Sequence, residues 1–140
     1  MIYFGTSGGK FLAIDWKNSK TVWSFQDKAR QQAISGSAAL TDKIVLVPGE
    51  DRTLRAFDSA TGKQIWKKMF KGKLESSPVV VGERVFVGGH DGRLHAVTLD
   101  KGDEVWSYET GGKLLASPAV AAERLVIAGD DGHVYCFGAK

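Results

Sequence analysis

The sequence is poor in cysteine and proline, carries little net charge and has no long apolar segment, and each of these features excludes a class of protein. Of 140 residues only one, Cys136, is a cysteine and three are prolines, and the net charge is only +3. A single cysteine excludes an intramolecular disulfide and a cysteine-based zinc cluster. The longest mostly apolar stretch, residues 114–122, is far shorter than the ~20 residues of a membrane helix, so no membrane span is predicted. No basic segment with a cleavage site follows Met1, so we expect no signal peptide in this chain.

Glycine, by contrast, is abundant. The chain holds 17 glycines, where average usage would give about ten. With 43% hydrophobic and 25% charged residues, the composition is that of a folded globular protein and not of a disordered chain. Many glycines with few prolines indicate frequent tight turns between short strands.

The sequence repeats with a period of 40 to 43 residues. A tryptophan and a small residue both recur at this spacing, at Trp23, Trp66 and Trp106 and at Ala13, Ala56, Ala96 and Cys136. We divide the chain into repeats 1–33, 34–73, 74–113 and 114–140, the first without its opening segment and the last without its closing one. Such a period is typical of propellers and solenoids, so residues 1–140 are predicted to form one propeller segment.

Each repeat has the pattern of β-strands throughout. Short runs rich in β-branched and aromatic residues are bounded by Gly, Asp and Ser, and no run sustains a helical period. Apolar residues recur two positions before and one position after the alanine marker, which places them on opposite faces of a strand; they are Phe11, Leu54, Leu94, Val134 and Ile14, Phe57, Val97, Phe137. Because a sheet that is apolar on both faces must stack between neighbours, we predict an all-β fold: a β-propeller of four-stranded antiparallel blades, forming a partial ring of about four blades per chain.

Residues 56–66 resemble the tryptophan-docking motif of the pyrroloquinoline-quinone-like, or quinoprotein, propellers. The motif runs Ala-x-Asp-x-x-Thr-Gly-Lys-x-x-Trp, and the second repeat matches it at every fixed position. The first repeat has Asn18 and Ser19 in place of Thr-Gly, and the third departs at Thr98, Lys101 and Asp103. The matching residues, predicted to be structural, are Ala13, Asp15, Trp23, Ala56, Asp58, Thr61, Gly62, Lys63, Trp66, Ala96, Gly102 and Trp106.

The motif predicts contacts between blades. Since the tryptophan recurs in every complete repeat, we interpret it as a blade-to-blade contact and not as a stacking platform for a ligand. The glycine supplies a positive φ in the turn. Cys136 stands where the other repeats have alanine and is predicted to be a small core residue. A WD-repeat propeller is set aside, because none of the recurring tryptophans is followed by aspartate.

The sequence offers no catalytic, cofactor-binding or metal-binding set. For dehydrogenases of this fold the resemblance implies a central quinone, an adjacent Cys-Cys pair and a calcium ion, and with one cysteine that pair cannot be present. No catalytic or calcium-binding residue of the family maps onto this chain. His90, His95 and His133 share no ligand spacing and are predicted to be surface or turn histidines. Asp91-Gly92 and Asp131-Gly132 are interpreted as hairpin turns and not as calcium loops.

One basic cluster follows Trp66, at Lys67, Lys68, Lys71 and Lys73. It is a candidate anion-binding patch. The alternative, which the position favours, is a solvated edge strand on which lysines discourage pairing between sheets. Nucleic-acid binding is not predicted.

The resemblance implies two functions. The first is a non-catalytic module that binds a protein partner, as in outer-membrane barrel-assembly lipoproteins and extracytoplasmic sensor domains, without a cofactor and in the periplasm or another extracytoplasmic location. The alternative is a fragment of a pyrroloquinoline-quinone-dependent alcohol or sugar dehydrogenase, with the quinone and calcium. A half-ring would also expose two apolar faces, so we expect a homodimer, or missing blades supplied by a longer parent chain.

Overall fold

The computed structural model describes residues 1–138, which contain strands and turns but no helix. The all-β prediction is therefore confirmed, and no helix in this part of the chain has the length and apolar character needed to cross a membrane. The strands of sheet 1 are β1 (Ile2–Gly5), β2 (Lys10–Asp15) and β3 (Lys20–Gln26). Those of sheet 2 are β4 (Ala39–Leu40), β5 (Ile44–Pro48), β6 (Thr53–Asp58) and β7 (Gln64–Met69). Those of sheet 3 are β8 (Val79–Val81), β9 (Arg84–Gly88), β10 (Arg93–Thr98) and β11 (Glu104–Glu109). Those of sheet 4 are β12 (Ala119–Ala121), β13 (Arg124–Ala128) and β14 (Val134–Gly138).

Every sheet is an antiparallel meander in which strands that follow each other in sequence are paired. Sheets 2 and 3 have four strands, whereas sheets 1 and 4 have three. The short strand of small residues forms one edge of sheets 2, 3 and 4, and the tryptophan-bearing strand forms the other edge of sheets 1, 2 and 3. This arrangement confirms the predicted blades, with the first and the last incomplete.

The strand that carries the alanine marker has the same irregularity in sheets 1, 2 and 3. Each alanine pairs with the tryptophan of its own sheet, and the register then shifts at the next residue; the pairs are Ala13–Trp23, Ala56–Trp66 and Ala96–Trp106. A bulge of this kind bends the strand and increases its twist. All three alanines are buried, so the methyl group leaves room for packing beside the indole.

Three apolar cores lie between successive sheets. The first joins Phe11 and Trp23 of sheet 1 to Phe57 of sheet 2. The second contains Leu46, Leu54, Ala56 and Trp66 of sheet 2 with Val85, Val87 and Val97 of sheet 3. The third joins Leu94 of sheet 3 to Leu125 and Ile127 of sheet 4. Each core is shared by two neighbours, so the sheets stabilise one another as in other repeat proteins.

Within residues 1–138, the two end faces of the stack carry no neighbouring sheet. We call them the leading face of sheet 1, with Ile2 and Phe4 at 49% and 41% exposure, and the trailing face of sheet 4, with Val134 at 69%. Cys136 lies on the trailing face and is exposed. The predictions that Cys136 is a core residue and that Val134 belongs to a buried row are therefore wrong, because in the described chain no sheet covers that face.

Candidate functional site

Two of the recurring tryptophans lie on the turn of the following sheet. The indole N–H of Trp23 donates to the backbone carbonyl of Ser59 at 2.9 Å, and that of Trp66 donates to the carbonyl of Leu99 at 2.9 Å. Both indoles are at most 9% exposed. A buried indole satisfied by a backbone carbonyl both fills the junction and fixes its geometry.

The glycine of the motif lies directly beneath the docked indole. Gly62 and Gly102 have φ values of 72° and 74°, which favour glycine. A Cβ atom at Gly62 would lie 2.5 Å from a ring atom of Trp23, and one at Gly102 would lie 2.5 Å from a ring atom of Trp66. The glycine is therefore required for two reasons, the backbone conformation and the close approach of the ring.

The aspartate of the motif holds this turn together. A side-chain oxygen of Asp58 accepts hydrogen bonds from the Thr61 hydroxyl at 2.7 Å and from the Thr61 N–H at 2.8 Å. The hydroxyl bond from Thr61 lowers the pKa of Asp58 from its ordinary value. The backbone carbonyl of Lys63 accepts from the Asp58 N–H at 2.9 Å. In sheet 1, a carboxylate oxygen of Asp15 accepts a hydrogen bond from the side-chain amide of Asn18 at 2.7 Å. The first copy of the motif therefore also has an aspartate that holds its turn together.

Trp106 and Trp16 have different surroundings. Trp106 is 39% exposed and makes an edge contact with the Phe137 ring, 5.4 Å between centroids. No described turn lies beneath its indole in the way that Gly62 lies beneath Trp23. Trp16 lies in the turn after β2 and is 58% exposed, outside the recurring position.

We expect Gly102→Ala to lower the free energy of unfolding by about 2–3 kcal/mol, because the new methyl group meets Trp66 and also strains the backbone. Gly82→Ala is the matched control, since Gly82 has a φ of 58° and no heavy atom within 4 Å of a built Cβ. The control should lose only about 1 kcal/mol, the cost of the conformation alone. Urea unfolding measures both, and equal losses would contradict the docking role of Gly102.

A second recurring position, one residue before the alanine marker, carries a polar side chain in sheets 2, 3 and 4. Each of these side chains contacts an aspartate four residues earlier, in the turn that opens its strand; the pairs are Arg55–Asp51, His95–Asp91 and Tyr135–Asp131. The alanine marker faces the following sheet, as Ala56 does in the core between sheets 2 and 3. The three polar side chains alternate with it along the strand, so they point to the face that packs on the preceding sheet. The sequence analysis did not identify this position, although an aspartate recurs four residues before the polar residue in three of the repeats.

Arg55 makes the most extensive network of the three. It is 3% exposed, bonds to Asp51 and Thr53, and reaches Asp27 of sheet 1 at 3.0 Å. The guanidinium also lies 5.3 Å from the centre of the Phe25 ring. Burial acts to raise the pKa of Asp51, but hydrogen bonds from Arg55 and Thr53 and the charge of Arg55 outweigh it and lower that pKa.

His95 lies between two carboxylates. Its Nε2 atom is 3.0 Å from Asp91 and its Nδ1 atom is 3.3 Å from Glu104, while the ring packs on Phe70 at 4.6 Å between centroids. With only 4% exposure on strand β10, it is a buried histidine, so the prediction of a surface or turn position is wrong for His95. The phenyl ring of Phe70 and the preceding sheet cover it. His133, at 74% side-chain exposure, is a turn histidine as expected.

A cleft of about 490 Å³ opens beside His95, between sheets 2 and 3. It is lined by residues of both sheets: Lys68, Met69, Phe70, Lys71, Asp91, Arg93, His95, Glu104 and Ser107. Arg93 is paired with Glu109 and His95 faces Asp91. Within residues 1–138, Lys68 and Lys71 have no ion-pair partner, while the carboxylates of Asp91 and Glu104 in the same lining both face His95.

The structure divides the candidate anion-binding patch into two pairs. Lys67 lies 3.8 Å from Asp27 and Lys73 lies 3.2 Å from Glu50, so each has a carboxylate partner. Lys68 and Lys71 instead line the cleft. Lys67 and Lys68 separate because adjacent residues on strand β7 point to opposite faces. Only the second pair is available to an external anion.

No group of three or more His, Cys, Asp or Glu side chains is arranged to hold a metal ion within residues 1–138. The turns that contain Asp91-Gly92 and Asp131-Gly132 join strands β9–β10 and β13–β14, with positive φ at Gly92 and Gly132. They are hairpin turns, as the sequence predicts, and the carboxylates of Asp91 and Asp131 are engaged by His95 and Tyr135.

Comparison with known proteins finds one matching family and a curated relative. The family described as outer membrane protein assembly factor BamB matches residues 50–140. Quinohemoprotein alcohol dehydrogenase ADH IIB of Pseudomonas putida is 32% identical over 74 residues, which cover 47% of this chain and 11% of that protein. The chain therefore spans only about a tenth of the length of this curated relative.

Solved structures share the fold at low sequence identity. BamB from Moraxella catarrhalis superposes with a TM-score of 0.85 and 22% identity over 96% of this chain and 45% of its own. The computationally designed Ika4 protein superposes with a TM-score of 0.85 and 14% identity over 99% of this chain and 84% of its own. The chain thus matches slightly less than half of one propeller and most of the other protein.

Proposed function

The chain belongs to the BamB family of outer membrane protein assembly factors, which are pyrroloquinoline-quinone-type repeat propellers, and from that premise we propose that it is a non-catalytic protein-binding scaffold of the periplasm. The single observation that carries the proposal is the cleft between sheets 2 and 3, where Lys68 and Lys71 have no ion-pair partner within residues 1–138. We infer that this cleft binds an acidic segment of a partner protein.

The two unpaired lysines of the cleft support an acidic segment. Lys68 and Lys71 would contact carboxylates of the partner. Pairs of this kind steer association and weaken as salt is added. Strand β7, which carries Lys68 and Met69, is also an edge strand of its sheet, so its backbone is available for pairing with an extended segment.

A fluorescein-labelled peptide with alternating glutamate and leucine residues tests the proposal by fluorescence polarisation. We expect saturable binding that weakens as NaCl is raised from 50 to 300 mM. The double variant Lys68→Glu with Lys71→Glu should bind about tenfold or more weakly than the wild type. Lys101→Glu with Lys113→Glu is the charge-matched control, because both lysines are exposed and lie outside the cleft. No binding, or an equal loss in both double variants, would contradict the proposal.

A second candidate is a fragment of a quinone-dependent alcohol dehydrogenase, which the 32% identity to the Pseudomonas putida enzyme favours. The test is to add pyrroloquinoline quinone and Ca²⁺ and to follow the quinone absorbance and the reduction of an electron-accepting dye with an alcohol. The scaffold proposal expects an unshifted absorbance band and no dye reduction. Alcohol-dependent dye reduction would support the dehydrogenase instead.

A further inference from the structure

The polar position before the alanine marker carries three side chains that differ in how their charge depends on pH. Arg55 of sheet 2 is always charged, since a guanidinium does not lose its proton in proteins. Tyr135 of sheet 4 is neutral, because its hydrogen bond to Asp131 raises the pKa of the phenol above its ordinary value of about 10. His95 of sheet 3 is the one whose residue type changes charge between roughly pH 5 and 8. Of the three junctions, the one between sheets 2 and 3 therefore has a side chain here that responds to pH.

The hydrogen bonds around His95 are incomplete when its ring is neutral. Its Nε2 atom lies 3.0 Å from a carboxylate oxygen of Asp91. Because a carboxylate only accepts hydrogen bonds, the single proton of a neutral ring belongs on Nε2. The buried Nδ1 atom then carries a lone pair and has no hydrogen-bond partner within the described residues. A carboxylate oxygen of Glu104 lies 3.3 Å from Nδ1. A neutral His95 therefore turns one acceptor toward another.

Protonation of His95 supplies the missing donor. An imidazolium has a proton on each ring nitrogen, so it donates toward Asp91 and Glu104 at the same time. Since the residue is only 4% exposed, solvent and salt screen these contacts little. The Glu104 side chain is 36% exposed and is free to turn away when the proton is lost. The charge of His95 therefore determines whether Glu104 is held at the ring or released into the cleft.

The same proton changes the charge balance of the cleft. Charged side chains of the elements packed around His95 line the cleft, and they are Asp91 of the β9–β10 turn, Arg93 of β10, Glu104 of β11, Lys68 of β7 and Lys71, which follows β7. Arg93 is compensated by its pair with Glu109. With a neutral His95, the carboxylates of Asp91 and Glu104 balance the two lysines. A charged His95 adds one positive charge to this balance.

We propose that protonation of His95 regulates the cleft, so that the cleft binds an acidic segment more tightly at pH 6.0 than at pH 7.5. This inference rests on the proposed function, because it concerns the affinity of the same site for the same class of partner. In the neutral state, Glu104 competes with the carboxylates of the partner for Lys68 and Lys71. In the charged state, His95 holds Glu104 and the lysines are left to the partner. Proton binding and partner binding then strengthen each other by the same factor.

The first test is a titration of the labelled glutamate–leucine peptide at pH 6.0 and pH 7.5, where its glutamates stay ionised. We expect the wild type to bind about fivefold or more tightly at pH 6.0. His95→Gln should bind equally at the two pH values. His90→Gln is the matched control and should keep the wild-type ratio, because His90 also faces a carboxylate, Glu75 at 3.2 Å, but does not line the cleft. Circular dichroism establishes that both variants are folded.

Glu104→Gln is the second variant, and it leaves the buried ring and its packing on Phe70 in place. We expect it to bind more tightly than the wild type at pH 7.5, because the released side chain no longer carries a charge that competes for the lysines. The ratio between the two pH values should become smaller. Glu83→Gln is the charge-matched control, since Glu83 is exposed in the β8–β9 turn and lies outside the cleft; it should bind as the wild type does.

The outcomes separate this regulation from the proposed function. Equal affinity of the wild type at both pH values, or a Glu104→Gln variant that binds as the wild type does, would overturn the regulation and leave the proposed function standing. No binding at either pH would overturn the proposed function. The coupling within the protein is measured without a peptide by NMR, where the His95 ring and the Glu104 carboxyl carbon should titrate with one midpoint. A Glu104 signal that does not follow the His95 ring would overturn the coupling.

Discussion

Replacing Trp66 with alanine is expected to lower the free energy of unfolding by about 3–5 kcal/mol. The indole is 8% exposed, lies in the core between sheets 2 and 3, and donates a hydrogen bond to the Leu99 carbonyl. Its loss would leave a cavity at the junction and an acceptor without its donor. Equilibrium unfolding in urea, followed by circular dichroism, measures the change.

Two other tryptophans are the controls for this prediction. Trp16→Ala should cost less than about 1 kcal/mol, because this indole is 58% exposed in a turn. Trp106→Ala should lie between the two, because the indole packs on Phe137 but is 39% exposed. Equal losses at Trp66 and Trp16 would contradict the assignment of the recurring tryptophan as a contact between sheets.

Arg55→Met is expected to destabilise the protein at pH 7 by about 3–5 kcal/mol, which is typical of breaking a buried ion pair from one side. The change leaves the buried carboxylate of Asp51 without its cation and removes the contact with Asp27. The double variant Asp51→Asn with Arg55→Met should recover part of the loss, because no unpaired buried charge remains. Urea unfolding of the single and double variants measures the coupling.

The same pair predicts a dependence on pH. Burial acts to raise the pKa of Asp51, but hydrogen bonds from Arg55 and Thr53, together with the charge of Arg55, lower it in the folded protein. A carboxyl group with a lowered folded pKa contributes stability that is fully present above its unfolded pKa of about 3.9 and is lost as pH falls through the folded pKa. The advantage of wild type over Arg55→Met should therefore shrink from pH 7 to pH 3. A difference in stability that does not change with pH would contradict this role of Asp51.

The repeat and its motif were sufficient to predict the fold. Tryptophans at a period of 40 to 43 residues, with apolar residues on both sides of the alanine marker, require sheets that stack face to face. Gly62 and Gly102 were predicted to have positive φ and do. The motif did not predict the acceptor of the indole N–H. That acceptor is a backbone carbonyl, which every residue carries, so no residue type identifies it in the sequence.

The candidate site depended on contacts that sequence spacing does not reveal. His95 is buried because Phe70 of the preceding sheet covers it and Glu104 approaches from β11, and neither contact follows from the position of the histidine in its repeat. The separation of Lys67 from Lys68 does follow from strand alternation and could have been predicted. Cys136 occupies the same place as Ala56, yet its exposure is set by whether another sheet follows, which is a property of the stack and not of the residue.

Tryptophan docking runs in one direction along the chain, and this gives the repeat array a polarity. The indole of one sheet always lies on the turn of the following sheet, never on that of the preceding one. Deleting the repeat that follows would therefore expose an indole to water, as the greater exposure of Trp106 illustrates. Deleting the repeat that precedes would uncover a glycine turn and the other half of the shared core, such as Phe57, but no indole. Duplication and loss of repeats during evolution should thus be tolerated unequally at the two ends, with gains and losses accumulating most easily at the end that carries the unoccupied turn.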